Sequence, residues 1–146
     1  MKKVLLMAIM LASSLSAFAG EKVIDLYKSE HCDCCTQWGK IMEKQGYQVN
    51  THVMNDSALN ALKDKHAIPA DLRSCHMATT GNLLIEGHVP AEAINKALVP
   101  GSGIYGLATP GMPAGSPGME MGDKKDPYNV IAFDKNGSQQ VFLRIE

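Results

Sequence analysis

The chain predicts one α/β domain with element order β-α-β-α-β-β-α, a Gly/Pro/Met-rich loop and a closing β-hairpin. Three observations carry this expectation. Short apolar runs of strand length alternate with segments whose apolar residues recur at helical spacing. Three cysteines crowd into four positions at Cys32, Cys34 and Cys35, where the first apolar run gives way to the first helical pattern. Near the end, Asn136-Gly137 divides two strand-like runs and suits the positive φ angles of a tight hairpin turn.

In order along the chain, residues 23–27 read as a short buried strand. Trp38, Ile41 and Met42 then recur at helical spacing in a pattern that begins near Trp38, and Gly46 is a helix stop. Val49, Thr51 and Val53 alternate as a second strand. Asp56 or Ser57 caps a second helix carrying Leu59 and Leu62, which ends before Pro69 because proline lacks the amide and its ring clashes with the preceding turn. Residues 75–80 and 83–88 form a hairpin around Gly81-Asn82. Pro90 opens a third helix whose Ile94 and Leu98 face the sheet, and Pro100-Gly101 end it. This is the element order of a thioredoxin-like domain. Residues 100–127 are rich in glycine, proline and methionine and are expected to sustain neither helix nor sheet. Residues 128–134 and 140–145 form the last hairpin, and no internal repeat is visible.

Residues 1–19 have the make-up of a cleaved secretory signal. Lys2 and Lys3 precede a mostly apolar stretch, and Ala17-Phe18-Ala19 supplies the small-x-small pattern of a cleavage site. The apolar stretch is shorter than the roughly 20 residues that cross a bilayer. Position 20 is glycine, so no cysteine is placed for lipid attachment. The expected mature domain is 20–146, periplasmic and without a membrane anchor. Removing Lys2 and Lys3 from a chain of net charge −1 leaves about −3, a balance that attracts neither nucleic acid nor an anionic membrane. A chain of this length buries its own core, and three of the four cysteines lie too close together to staple distant segments.

The expected topology turns scattered residues into one site. With the first strand running toward the cysteines, an antiparallel third strand starts at their rim and the fourth returns there. That brings Cys75, His76 and His88 to Cys32, Cys34 and Cys35. At a helix start, free amides and the helix dipole favour thiolate over thiol. Cys32 and Cys35 keep the C-x-x-C spacing of disulfide exchange, but Cys34 is a thiol that such exchange does not need. A surplus of soft donors points to a metal. Four cysteines suffice for tetrahedral zinc. Thiolates together with the thioethers of Met112, Met119 and Met121 favour Cu(I), and adjacent Cys34 and Cys35 suit thiolates that bridge several ions. His76 follows Cys75 directly, so strand alternation sends its ring to the opposite face unless the strand starts later. His52 and His66 fall away from the rim and are expected at the surface, while Met42 is expected in the core.

The motifs Tyr27-Lys28-Ser29, Cys32-Asp33-Cys34-Cys35, Ser74-Cys75-His76, Glu86-Gly87-His88-Val89-Pro90 and the run from Gly111-Met112-Pro113 through Gly118-Met119-Glu120 resemble those of the CopG-type periplasmic copper proteins, long grouped as a domain of unknown function. The resemblance implies a thioredoxin-like fold, a site for several copper ions, and interconversion of Cu(I) and Cu(II) in copper resistance. The leading reading adds exchange of copper ions with copper-efflux or periplasmic copper-carrier proteins. By motif, the resemblance carries a ligand role to Cys32, Cys34, Cys35 and Cys75, then His88, Met112, Met119 and His76. Two other readings stay open: a thiol-disulfide oxidoreductase with Cys32 as nucleophile and Cys35 as resolving thiol, and a copper carrier or store without turnover.

Overall fold

The computed structural model describes residues 22–146. The expected signal segment lies outside the described residues. Eleven elements follow in order: β1 (Val23–Ser29), α1 (Asp33–Lys44), β2 (Gln48–Met54), α2 (Asp56–Lys65), a 3₁₀ turn (Ala70–Leu72), β3 (Met77–Thr80), β4 (Leu83–Gly87), α3 (Ala91–Ala97), β5 (Gly106–Thr109), β6 (Tyr128–Phe133) and β7 (Gln139–Ile145). The strands form one seven-stranded sheet in the order β2-β1-β3-β4-β5-β6-β7. The β-α-β-α-β-β-α order and the final hairpin are as the sequence indicates, but β5 overturns the expectation that residues 100–127 sustain no sheet. Gly-Leu-Ala-Thr is too short and glycine-flanked to read as a strand by itself. It becomes one because β4 pairs with it in parallel and β6 in antiparallel sense.

Alternation along the strands sorts side chains onto two faces. On one face Ile24, Leu26, Ala78, Ile85, Leu107 and Val130 pack against Trp38 and Met42 of α1 and Ala93, Ile94 and Ala97 of α3. On the other, Met77, Leu84, Ala108 and Phe133 pack against Leu59 of α2 with Ile68 and Leu72. Trp38 is wholly buried, and its indole Nε1 donates to the Val89 carbonyl at 2.9 Å, tying α1 to the segment after β4. Truncating such a side chain costs about 3–5 kcal/mol.

Element ends differ from expectation in small ways with clear causes. α1 begins at Asp33, inside the cysteine motif, and not near Trp38. α2 is capped by Asn55, whose Oδ1 accepts the Ala58 amide at 2.8 Å, so Asp56 and Ser57 sit in the first turn. α3 ends at Ala97, and Leu98, its C-cap, is exposed. β2 is an edge strand, so its Val53 is exposed.

Register fixes what meets at the cysteine end of the sheet. Tyr27 pairs with Met77 and Met77 with Glu86, so the residues before β3 lie beside the end of β1, and Gly87 and His88 lie beside His76. Gly87 pairs in parallel with Thr109, so the loop that follows β5 starts at the same end.

Candidate metal centre

Four sulfurs gather there. The Sγ atoms of Cys32, Cys34, Cys35 and Cys75 all lie within 4.8 Å of one another. Cys32 is the N-cap of α1, and Cys34 and Cys35 occupy its first turn, where backbone amides have no helical partner. Cys35 is buried and the other three are half-buried. Cys32 and Cys35 are joined as a disulfide, and Cys34 and Cys75 are free. The Cys34 sulfur is 3.4 Å from that of Cys32 and 4.0 Å from that of Cys75. Burial, and then the neighbouring Cys34, push the Cys75 thiol above its ordinary pKa. A soft cation replacing the proton removes that penalty.

The loop after β5 covers this rim. Met112, held at φ +47°, brings its Sδ to 2.7 Å from the Cys75 sulfur. Gly118 seats the loop on α1. Its φ is +87°, and a Cβ there would stand 2.6 Å from the Cys34 carbonyl oxygen and 2.9 Å from the Trp38 nitrogen, so any other residue lifts the loop. Met119 is half-buried, and its backbone closes the turn by accepting from the Gly115 amide at 2.9 Å. Met121 is exposed and Met42 is core.

His76 and His88 lie outside the four-sulfur group but next to each other, with ring centroids 5.1 Å apart and His76 4.7 Å from Trp38. Both are fully buried. His76 lies just before β3 and takes the α1 side, opposite to Met77. Gly87 at φ +73° breaks the alternation after Glu86, and His88 joins His76 on that side. The Pro117 carbonyl can only accept, so His88 Nδ1 donates to it at 2.8 Å. That leaves His88 Nε2 a bare lone-pair nitrogen, buried without a partner; both nitrogens of His76, one carrying the proton and one a lone pair, are also without a partner. A ring fixed through one nitrogen with the other open is the usual posture of a metal-ligating histidine. Burial holds the pKa of His88 below the ordinary imidazole range, and burial with His88 and Lys63 nearby holds that of His76 far below it. Both rings are therefore neutral donors at physiological pH. His52 is exposed and bonds Asp25 at 2.9 Å, and His66 is half-buried at the end of α2.

A cleft of about 650 Å³ opens beside the sulfurs, lined among others by His31, Asp33, Asp56, Asn60 and Lys63. Lys63 and its partner Glu86 were not among the residues expected to shape the site. The signals were an acid inside the apolar run of residues 83–87, and a lysine one helical turn after Leu59 on the buried face. The Lys63 ammonium donates to Glu86 Oε1 and to the Ser74 carbonyl, each at 2.6 Å. Burial pushes the Glu86 carboxyl up to about 7, against the pull of Lys63.

A family described as a protein of unknown function, DUF411, matches residues 72–119, the span that carries Cys75, His76, His88, Met112 and Met119. Two solved structures are similar over nearly the whole chain. Form 2 of the copper resistance protein CopG superposes with a TM-score of 0.80 at 37% identity, covering 87% of this chain and 100% of that one. Form 1 gives 0.79 at 38%, covering 86% and 98%. The chain belongs to the CopG family. No curated protein sequence matches it. Among the described residues, no helix is long and apolar enough to cross a membrane.

Proposed function

We propose that the protein binds copper in bacterial copper resistance, holding several ions on Cys32, Cys34, Cys35 and Cys75 and cycling them between Cu(I) and Cu(II) in the periplasm. The observation that carries this reading is the approach of four cysteine sulfurs within 4.8 Å, with the Met112 thioether on Cys75. Thiolate and thioether are the donors that select Cu(I), and thiolates can bridge ions so closely packed. His88 and His76 add imidazole nitrogens, which suit Cu(II) as well, and Met119 belongs to the loop that closes over the rim. The likeness to copper resistance proteins supports the same cargo. Thiolate donors number two while Cys32 and Cys35 are bonded and four once that bond is reduced. The copper is exchanged with an efflux or carrier protein of the same compartment.

The test is metal analysis with thiol counting on protein reduced and loaded with Cu(I). More than one copper per chain is expected, with lower stoichiometry in Cys75→Ser. A single zinc without copper preference would sink the reading.

The bonded Cys32–Cys35 pair at a helix start favours a second reading, thiol-disulfide exchange. Cys34→Ser separates the two. It leaves exchange through Cys32 and Cys35 intact, whereas it removes a bridging thiolate that a hard, poorly ionised hydroxyl cannot replace around Cu(I).

A further inference from the structure

On the α2 face of the sheet, directly behind Cys75, lies a buried ion pair that the copper reading leaves unused. Lys63 is 2% exposed and Glu86 not at all. Charged residues are almost never buried to this degree unless paired, and an isosteric apolar pair is often as stable or more so. The pair therefore contributes little to stability relative to leucine and methionine, and its value lies in where its hydrogen bonds go. They converge on one residue. Lys63 Nζ donates to the Ser74 carbonyl at 2.6 Å, and Glu86 Oε1 accepts the Ser74 amide at 2.6 Å as well as the ammonium. Both backbone polar groups of Ser74 are thus held by two charges anchored on different elements, α2 and β4. From the other side Gly87 presses on the same residue: a Cβ on Gly87 would stand 2.8 Å from the Ser74 Cβ. The next residue is Cys75, half-exposed and outside the regular pairing of β3.

We infer that Lys63 and Glu86 are positioning residues: their ion pair grips the backbone of Ser74 and thereby fixes the Cys75 sulfur opposite Cys34 and Met112. This rests on the copper reading for its consequence, but the placement itself does not depend on metal. Strand β3 begins two residues after Cys75, so no ladder hydrogen bond holds that residue. The clamp supplies what the sheet does not. Lys63 also lines the cleft beside the sulfurs.

The test uses the full chain carrying Lys63→Met with Glu86→Leu, which removes both charges at once, and two readouts. One is metal-free: the rate at which a fluorogenic bis-alkylating bimane bridges Cys34 and Cys75, whose sulfurs are 4.0 Å apart. The other is Cu(I) affinity by competition with a chelator. The double variant is expected to stay folded but to lose some stability through the Ser74 amide and carbonyl it leaves unpaired, to bridge about tenfold more slowly, and to bind Cu(I) about 10- to 100-fold more weakly, the usual cost of losing partners that orient a ligand. A folded double variant that bridges at the wild-type rate overturns the inference, even if copper affinity falls. Slowed bridging in a protein whose wild type binds no Cu(I) upholds the clamp and removes the copper reading instead. If the double variant does not fold, Lys63→Met alone decides in the same way, since Glu86 can then take up a proton and remain buried as the neutral acid.

Discussion

Two buried polar clusters flank the base of the β3–β4 hairpin, one on each face of the sheet, and they treat their polar atoms in opposite ways. On the α1 face, His76 and His88 keep three ring nitrogens without a partner. On the α2 face, Lys63 and Glu86 direct their hydrogen bonds onto each other and onto the backbone of Ser74, leaving Glu86 Oε2 as the unpaired atom. An unsatisfied buried donor or acceptor costs about 1–3 kcal/mol. The open cluster is thus a standing cost that an ion bound there would remove, while the closed cluster directs its hydrogen bonds to the chain itself and would offer a ligand little. Burial alone does not mark a ligand; the direction of the remaining lone pairs does.

The sharpest way to break this contrast is a pair of opposite stability outcomes in the metal-free protein. Glu86→Leu strands the Lys63 ammonium in the interior and is expected to cost about 3–5 kcal/mol in urea unfolding. His76→Leu removes two unpaired nitrogens at nearly constant volume and is expected to change stability by less than about 1.5 kcal/mol in either direction. Equal losses would show that the histidines are as structurally committed as the ion pair. Next in size is the ligand test. His88→Leu is expected to weaken Cu(I) or Cu(II) binding about 10- to 100-fold, whereas His52→Leu, on the exposed Asp25 pairing, leaves it unchanged. Gly118→Ala forces a Cβ into the start of α1 at φ +87° and should lower stability by about 1–2 kcal/mol. Faster proteolysis within residues 110–127 would report the lifted loop. The smallest effect belongs to Met112→Leu: stability within about 0.5 kcal/mol, because the side chain is 42% exposed, with a copper affinity only a few-fold lower. A large loss there would make the thioether a principal ligand.

Much of the site can be read from residue order. Cys32, Cys34 and Cys35 are local, and Cys75 reaches them because a hairpin pairing back onto β1 must begin at that end of the sheet. Lys63 and Glu86 are not legible as a pair in the sequence, for a physical reason. A charge inside an apolar run usually marks the solvent side, and only a partner reaching across from another element makes it tolerable at a core position. The β5 strand is not legible in the sequence because its four residues have no propensity of their own to override the surrounding glycines. Pairing on both sides decides it.

The amino-acid sequence by itself determined the order of elements apart from β5, the cysteine motif at a helix start and the soft character of the donors, since these follow from local periodicity and side-chain chemistry. Tertiary structure alone decided that His76 and His88 stand together beneath the rim, that Gly118 seats the loop on α1, and that two charges on separate elements grip Ser74. Each of these depends on a backbone turn at positive φ or on a contact between residues distant in sequence. Periodicity, which averages over neighbours along the chain, carries no record of either.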